Sequence, residues 1–364
     1  MDLKVTQENL SKALNTVARV AGGRSTLPIL SNILLQIKEN RLLLSATNLD
    51  IAISEYIGAK IAKEGSLTVP ARLMQDFVSS LPAGTIHIKQ EDHKLHITSE
   101  NYDSTINGVA ADEFPVMPTI QNGKPWVIDA VKFKKALQQV IFAASSDESR
   151  PVLTGVFIHS QAGDLFVAAT DSYRLAEKTI TKGAKNEISI LVPASAMQDL
   201  LRVIGDDVES IEVLNDEQQV LFKVGGVELV ARLIEGSYPD YQKLIPSNFA
   251  VKAKVPKDEF VNIVKVSSLF ARETAGSITA HVDEKQGTIS IRSVASQIGE
   301  NTAASNAQVS GSGDVTLNSR YLLDGLQAIE GKEIEFCFNG KLDPVVIKSP
   351  SHSDYIHIVM PLKS

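Results

Sequence analysis

Cysteine occurs once in the 364 residues, at Cys337, so no disulfide within the chain can brace the fold. It sits in the apolar run Ile334-Glu335-Phe336-Cys337-Phe338, which predicts a buried, inert thiol. Aromatic residues make up 5% of the chain and Trp126 is the only tryptophan, too few for a platform that stacks single-stranded bases. No stretch approaches the ~20 apolar residues that cross a bilayer, and Met1-Asp2-Leu3-Lys4 opens no signal peptide. The expectation is a soluble, cytoplasmic protein without a membrane partner. A net charge of −7 excludes a chain coated in basic residues, though not a local basic surface.

Catalytic signatures are missing as well. The histidines cluster only at His87, His93 and His96, around a polar hairpin turn, with no thiolate or fourth ligand for zinc. Gly22-Gly23-Arg24-Ser25-Thr26 follows a helical stretch and lacks the spacing of a phosphate loop. Gly311-Ser312-Gly313 lacks the third glycine of a dinucleotide fingerprint, and neither G-x-S-x-G nor H-E-x-x-H occurs. The residues point away from an enzyme; no catalytic residue, metal or cofactor is expected.

What the chain does contain is an internal copy. Arg150 to Leu175 reads RPVLTGVFIHSQAGDLFVAATDSYRL, and Leu27 to Ala52 reads LPILSNILLQIKENRLLLSATNLDIA, offset by 123 residues. At the same offset Ala13-Leu14 returns as Ala136-Leu137, Val69-Pro70-Ala71 as Val192-Pro193-Ala194, and Met74-Gln75-Asp76 as Met197-Gln198-Asp199. A fainter third copy places Leu317 to Ile329 where VPASAMQDLLRVI stands in the second. Such a period is too long for a solenoid and implies three tandem globular domains, at 1–122, 123–249 and 250–364.

Each copy alternates one helix with a run of strands, which predicts α+β domains with largely antiparallel sheets. Helices are predicted over 8–19, 71–81, 132–142, 194–204, 257–269 and 319–330, with Leu10, Ala13, Leu14 and Val17 on one face of the first. Strands are predicted from Leu30 to Lys38, Arg41 to Ala46 and Ile51 to Ile61. The helices carry ten basic against seven acidic residues, so the acidic excess lies elsewhere. A mildly basic helical surface suits sequence-independent, salt-sensitive contact with duplex phosphates. On the residues alone, a triplicated interaction scaffold unrelated to DNA stays open beside that reading.

The threefold repeat, the LPIL…ATNLD and ATDSYRL stretches, the VPA-x-x-MQD helices and the Met360-Pro361-Leu362-Lys363 tail closely resemble the bacterial DNA polymerase III beta subunit, the replicative sliding clamps. The resemblance covers the whole chain. It implies a head-to-tail homodimeric ring of six similar domains, with helices lining a pore around double-stranded DNA. Such a ring does no chemistry; it confers processivity by tethering DNA polymerase subunits, and it meets them and the clamp loader through short linear peptides.

The resemblance also implies residues. Arg24 and Arg72 match positions that touch DNA; Lys12, Lys132, Lys135, Arg202 and Lys265 join them from helix placement. A partner-peptide groove, accepting a glutamine and apolar side chains, would take Leu153, Thr170, Tyr173, Arg174, Leu175 and Pro246 from the second copy. Asn318, Tyr321, Leu342, Pro344, Ile358, Met360, Pro361 and Leu362 would come from the third. The ring joint would set Ile106 against Leu269 and Phe270. The chain departs from some members at Ser172-Tyr173, where they have glycine-histidine, and at its Lys363-Ser364 end.

Overall fold

The computed structural model describes residues 1–21, 27–120, 123, 125–181, 187–295 and 299–363. Arg24 therefore lies outside the described residues. The chain divides into two compact units, one of Met1–Val131 with Gln198–Leu233, the other of Lys132–Met197 with Ile234–Ser364. Among the described residues six α-helices stand at two per repeat: α1 (Gln7–Val17), α2 (Ala71–Ser80), α3 (Ala130–Val140), α4 (Ala194–Val203), α5 (Lys257–Phe270) and α6 (Ser319–Ala328). Their apolar spacing decides which face is covered. Leu10, Ala13, Leu14 and Val17 of α1 are all buried, and the Thr6 hydroxyl caps its first turn by accepting from Asn9 N at 3.4 Å.

In the first unit α1 packs against α2 and the strand Ile51–Ile57. A five-stranded sheet runs from Lys60–Lys63 through Asp2–Thr6, Thr85–Glu91 and Lys94–Ser99 to the edge strand Tyr102–Asn107. An eight-stranded sheet runs from Trp126–Asp129 to Ser66–Pro70 and crosses a repeat boundary. Val227–Arg232 of the second repeat pairs antiparallel with Ile51–Ile57 of the first, Leu229 opposite Ile53 and Val227 opposite Glu55.

The second unit repeats the device. In its nine-stranded sheet Arg174–Thr181 of the second repeat pairs with Tyr355–Val359 of the third, Leu175 opposite Ile358 and Lys178 opposite Tyr355. Its four-stranded sheet runs Gly299–Asn306, Thr288–Ala295, Ser277–Asp283 and Gly313–Asn318. Ile278, Ala280 and Val282 alternate with polar residues and are buried on the side that α5 covers, as a half-solvated antiparallel sheet requires.

The helices follow the sequence reading to within a few residues at each end. The strands need two corrections. Leu30 to Lys38 does not begin as a strand: Pro28 locks φ and starts a short 3-10 turn, Pro28–Ser31, before Asn32–Lys38 extends. Ile51 to Ile61 is not one strand either. It breaks at Gly58-Ala59 into Ile51–Ile57 and Lys60–Lys63, which join different sheets.

Candidate functional site

The turn after Thr170 is built by side chains that bond their own backbone. Asp171 Oδ1 accepts from Tyr173 N and Arg174 N, each at 2.9 Å, and Thr170 Oγ1 donates to Arg174 O at 2.6 Å. This bends Ser172 to a φ of 76° and leaves Tyr173 exposed. The first repeat makes the same turn: Asn48 Oδ1 accepts from Asp50 N and Ile51 N, and Leu49 takes a φ of 79°. A glycine would fit position 172 without the strain that serine bears there.

Beyond the turn the two copies diverge. Where the first has Ile51, the second has Arg174. Its Nε donates to Asp171 Oδ2 at 3.0 Å and its Nη1 to Asp324 of α6. The guanidinium lies over the Tyr321 ring at 4.6 Å from the centroid, and Tyr173 stacks near the same ring at 6.5 Å. Arg174 thus ties the second repeat to the third. Asn318 is equally occupied: it caps α6, accepting from Arg320 N at 2.9 Å and Tyr321 N at 3.3 Å.

Below this, burial pushes the His357 imidazole down to about 3, and its Nε2 lies 3.1 Å from Tyr321 O. Gly325 makes that fit possible, since a Cβ there would fall 2.1 Å from the His357 ring. The sheet brings in the tail. Met360 N donates to Tyr173 O at 2.8 Å, and the pairing of Val345 with Val359 leaves Pro344 beside Met360.

The fourteen predicted groove residues all fall in the second unit and sort into layers. Leu153, Leu175, Ile358 and Thr170 are buried, with Leu175 and Ile358 in one cluster with Val346 and Cys337. Tyr173 and Leu342 are exposed, while Pro246, Tyr321, Pro344, Met360, Pro361 and Leu362 are half-buried. Sequence reasoning missed Asp324, which holds Arg174, and Arg150, whose Nη1 donates to Ser172 Oγ at 3.0 Å. Nothing in the sequence ties Asp324 to a residue 150 positions earlier. Burial pushes the Cys337 thiol up to about 11, in keeping with an inert side chain.

The basic residues fall into groups. Lys12 and Arg202 line one cavity of about 660 Å³ together with Arg19, just past the end of α1, which the sequence reading did not single out as a contact. Lys132 and Lys135 line another of about 550 Å³ with Lys178. Arg72 and Lys265 are exposed and line neither of these two. Arg202 is paired with Asp199 at 2.9 Å and Lys135 with Glu330 at 2.5 Å, which tempers the charge those two present. For the ring joint, Leu269 is exposed and Phe270 half-buried at the end of α5. Ile106 is 5% exposed and faces its own core from the edge strand Tyr102–Asn107. No group of three metal-ligating side chains occurs among the described residues, and no described helix is long and apolar enough to cross a membrane.

Three α+β repeats whose sheets run on across the repeat boundaries, each with a helix pair, have the architecture of a DNA clamp. Family models of the DNA polymerase III beta subunit match in order: its N-terminal domain at residues 1–118, its central domain at 127–240 and its C-terminal domain at 242–363. The chain belongs to this family, the beta sliding clamps. It is 30% identical over 388 residues to the beta sliding clamp of Synechocystis sp., covering 100% of this chain and 99% of that one. It is 28% identical over 376 residues to that of Staphylococcus aureus, with both chains fully covered. The crystal structure of the DNA polymerase sliding clamp from Bacillus subtilis superimposes with a TM-score of 0.95 at 28% identity, covering 100% of this chain and 99% of that one.

Proposed function

We infer that this protein is the processivity clamp of a bacterial replication machinery: a homodimeric ring that encircles duplex DNA and tethers the polymerase without catalysing any step. One observation carries the reading, the full-length and ordered match of all three repeats to clamp subunits. The sheets support it. Each internal repeat joint is already a continuous sheet, while Tyr102–Asn107 in the first repeat and Gly299–Asn306 in the third are edge strands. Pairing these two edges between copies closes a ring head to tail. Leu269 and Phe270 cover that joint, and Ile106 supports it from behind.

The domains run 1–122, 123–249 and 250–364. DNA is met by Arg24, Arg72, Lys12, Lys132, Lys135, Arg202 and Lys265 as a salt-sensitive surface without base readout. Partners dock by extended peptides whose apolar side chains enter between Tyr173 and the Met360-Pro361-Leu362 tail, above the floor of Leu153, Leu175 and Ile358. A role on chromosomal DNA fits a cytoplasmic protein.

The test is topological. With a clamp loader and ATP the protein is loaded onto nicked circular DNA, which is then linearised. A ring stays on the circle and slides off cut ends; equal retention on both, or none on either, overturns the reading.

A further inference from the structure

We propose that the peptide groove continues past the C-terminal tail onto the outer face of the four-stranded sheet, as a subsite for acidic residues flanking the apolar anchors of the same peptide. The inference rests on the groove reading above.

The register of that sheet sets polar side chains side by side. Thr279 lies opposite Arg292 on one neighbour and Thr316 on the other; His281 lies opposite Ser290 and Asp314. Their alternates Ile278, Ala280 and Val282 are buried, so this row faces outward. Over it lies a cavity of about 460 Å³, walled by Lys341 and Leu362. An ordinary solvated sheet face also alternates polar residues, but two features set this one apart.

The first is a shared wall. Met360 N is bound to Tyr173 O at 2.8 Å on the groove side, and Leu362 N to Thr316 O at 2.8 Å on the sheet side. A peptide leaving the groove over the tail therefore meets this cavity next. The second is charge. Lys341 is exposed and has no ion-pair partner among the described residues, whereas Arg292 is paired with Glu300 at 2.9 Å and His281 with Asp314 at 2.6 Å. The one carboxylate in the lining, Asp314, is already held by His281, so the Lys341 ammonium beside the hydroxyls of Thr279, Thr302 and Thr316 is left as a receptor for a carboxylate.

The test uses the intact dimer and labelled peptides of glutamine and leucine, read by fluorescence anisotropy. One carries no extension; the others carry two acidic residues, or two amides, at either end. The acidic extension at one end should bind roughly two- to five-fold tighter than its amide counterpart, as suits a partly exposed ion pair. The gain should shrink with salt and vanish in Lys341→Glu, which leaves the unextended peptide unaffected. Absence of any gain, or a gain that persists in Lys341→Glu, overturns this subsite alone. If the unextended peptide fails to bind a properly assembled dimer, the groove reading falls and this inference with it.

Discussion

Glu55 and Lys178 stand at the same position of the repeated domain, 123 residues apart, and carry opposite charges. Each sits on the strand that joins one repeat to the next, Glu55 opposite Leu44 and Val227, Lys178 opposite Val167 and Tyr355. Lys178 is almost wholly buried, and its amine is held at 2.7 Å by Asp354, a residue of the third repeat. Glu55 has no such partner: its Oε2 is buried without a hydrogen bond among the described residues. The two joints share a backbone plan and differ in their electrostatics.

For Glu55 the consequence is a penalty at neutral pH. Burial pushes its carboxyl up, more than the Thr16 hydrogen bond and the Lys12 charge pull it down. A raised carboxyl destabilises the fold above its folded value, and the penalty lifts as pH falls through that value. Glu55→Gln should therefore raise the melting temperature at pH 7 by about 2–4 °C, equivalent to about 1 kcal/mol. The advantage should disappear in acid. A lower melting temperature at pH 7 would mean that an attraction to Lys12 outweighs the burial.

Asp354 predicts the opposite trend. Burial raises its carboxyl, but the hydrogen bond and charge of Lys178 more than offset this and hold it below the ordinary aspartate range. That contribution is present above the ordinary range and lost as pH falls through the folded value. Asp354→Asn should cost about 1–2 kcal/mol at pH 7, because solvent at the half-exposed carboxylate screens the pair. The difference from the parent protein should close in acid. Calorimetry across pH 3 to 7 reads both curves.

If partner peptides dock as proposed, Arg174 acts on them by positioning Tyr321 and the turn at Asp171. Lysine keeps the charge but loses the planar fork that reaches Asp171 and Asp324 while lying over Tyr321. Arg174→Lys should lower stability by about 2–3 kcal/mol and weaken partner peptides about tenfold, with the dimer intact by gel filtration. Asp324→Asn leaves Arg174 in place and should reproduce most of the loss of peptide binding. Unchanged binding in Asp324→Asn would instead assign Arg174 to direct contact with the peptide.

The parts of this fold that obey local rules could be read from the chain. Helical spacing marked the buried face of α1, and the Ala-Thr motif marked a turn that both copies make with an Asx side chain. Whatever depends on distant partners escaped. Strand alternation cannot say that Glu55 keeps one oxygen unbonded while Lys178 is ion-paired, because the deciding residue, Asp354, lies in another repeat. Nor could it show that Ile51 to Ile61 divides between two sheets, since Gly58-Ala59 interrupts the strand without a strong turn signal. Tyr173 and Met360 were legible as a pair through the family resemblance, and a backbone hydrogen bond now joins them.

The ring joint separates two kinds of apolar residue by exposure. Leu269 is 51% exposed although it is a large aliphatic side chain at the end of α5, and Phe270 beside it is only half covered. Ile106 is buried within its own repeat, paired across the strands with Leu95. If the joint forms as proposed, Leu269→Ala with Phe270→Ala should give monomers by gel filtration or light scattering while each monomer melts close to the parent, since little of its own core is removed. Ile106→Ala should do the reverse. It opens a cavity in the first repeat and should cost about 2–4 kcal/mol of stability, with the dimer persisting at concentrations where the protein stays folded. A stable dimer in the double variant would place the joint elsewhere on the surface; monomers from Ile106→Ala at full stability would mean that its side chain turns outward to meet the partner.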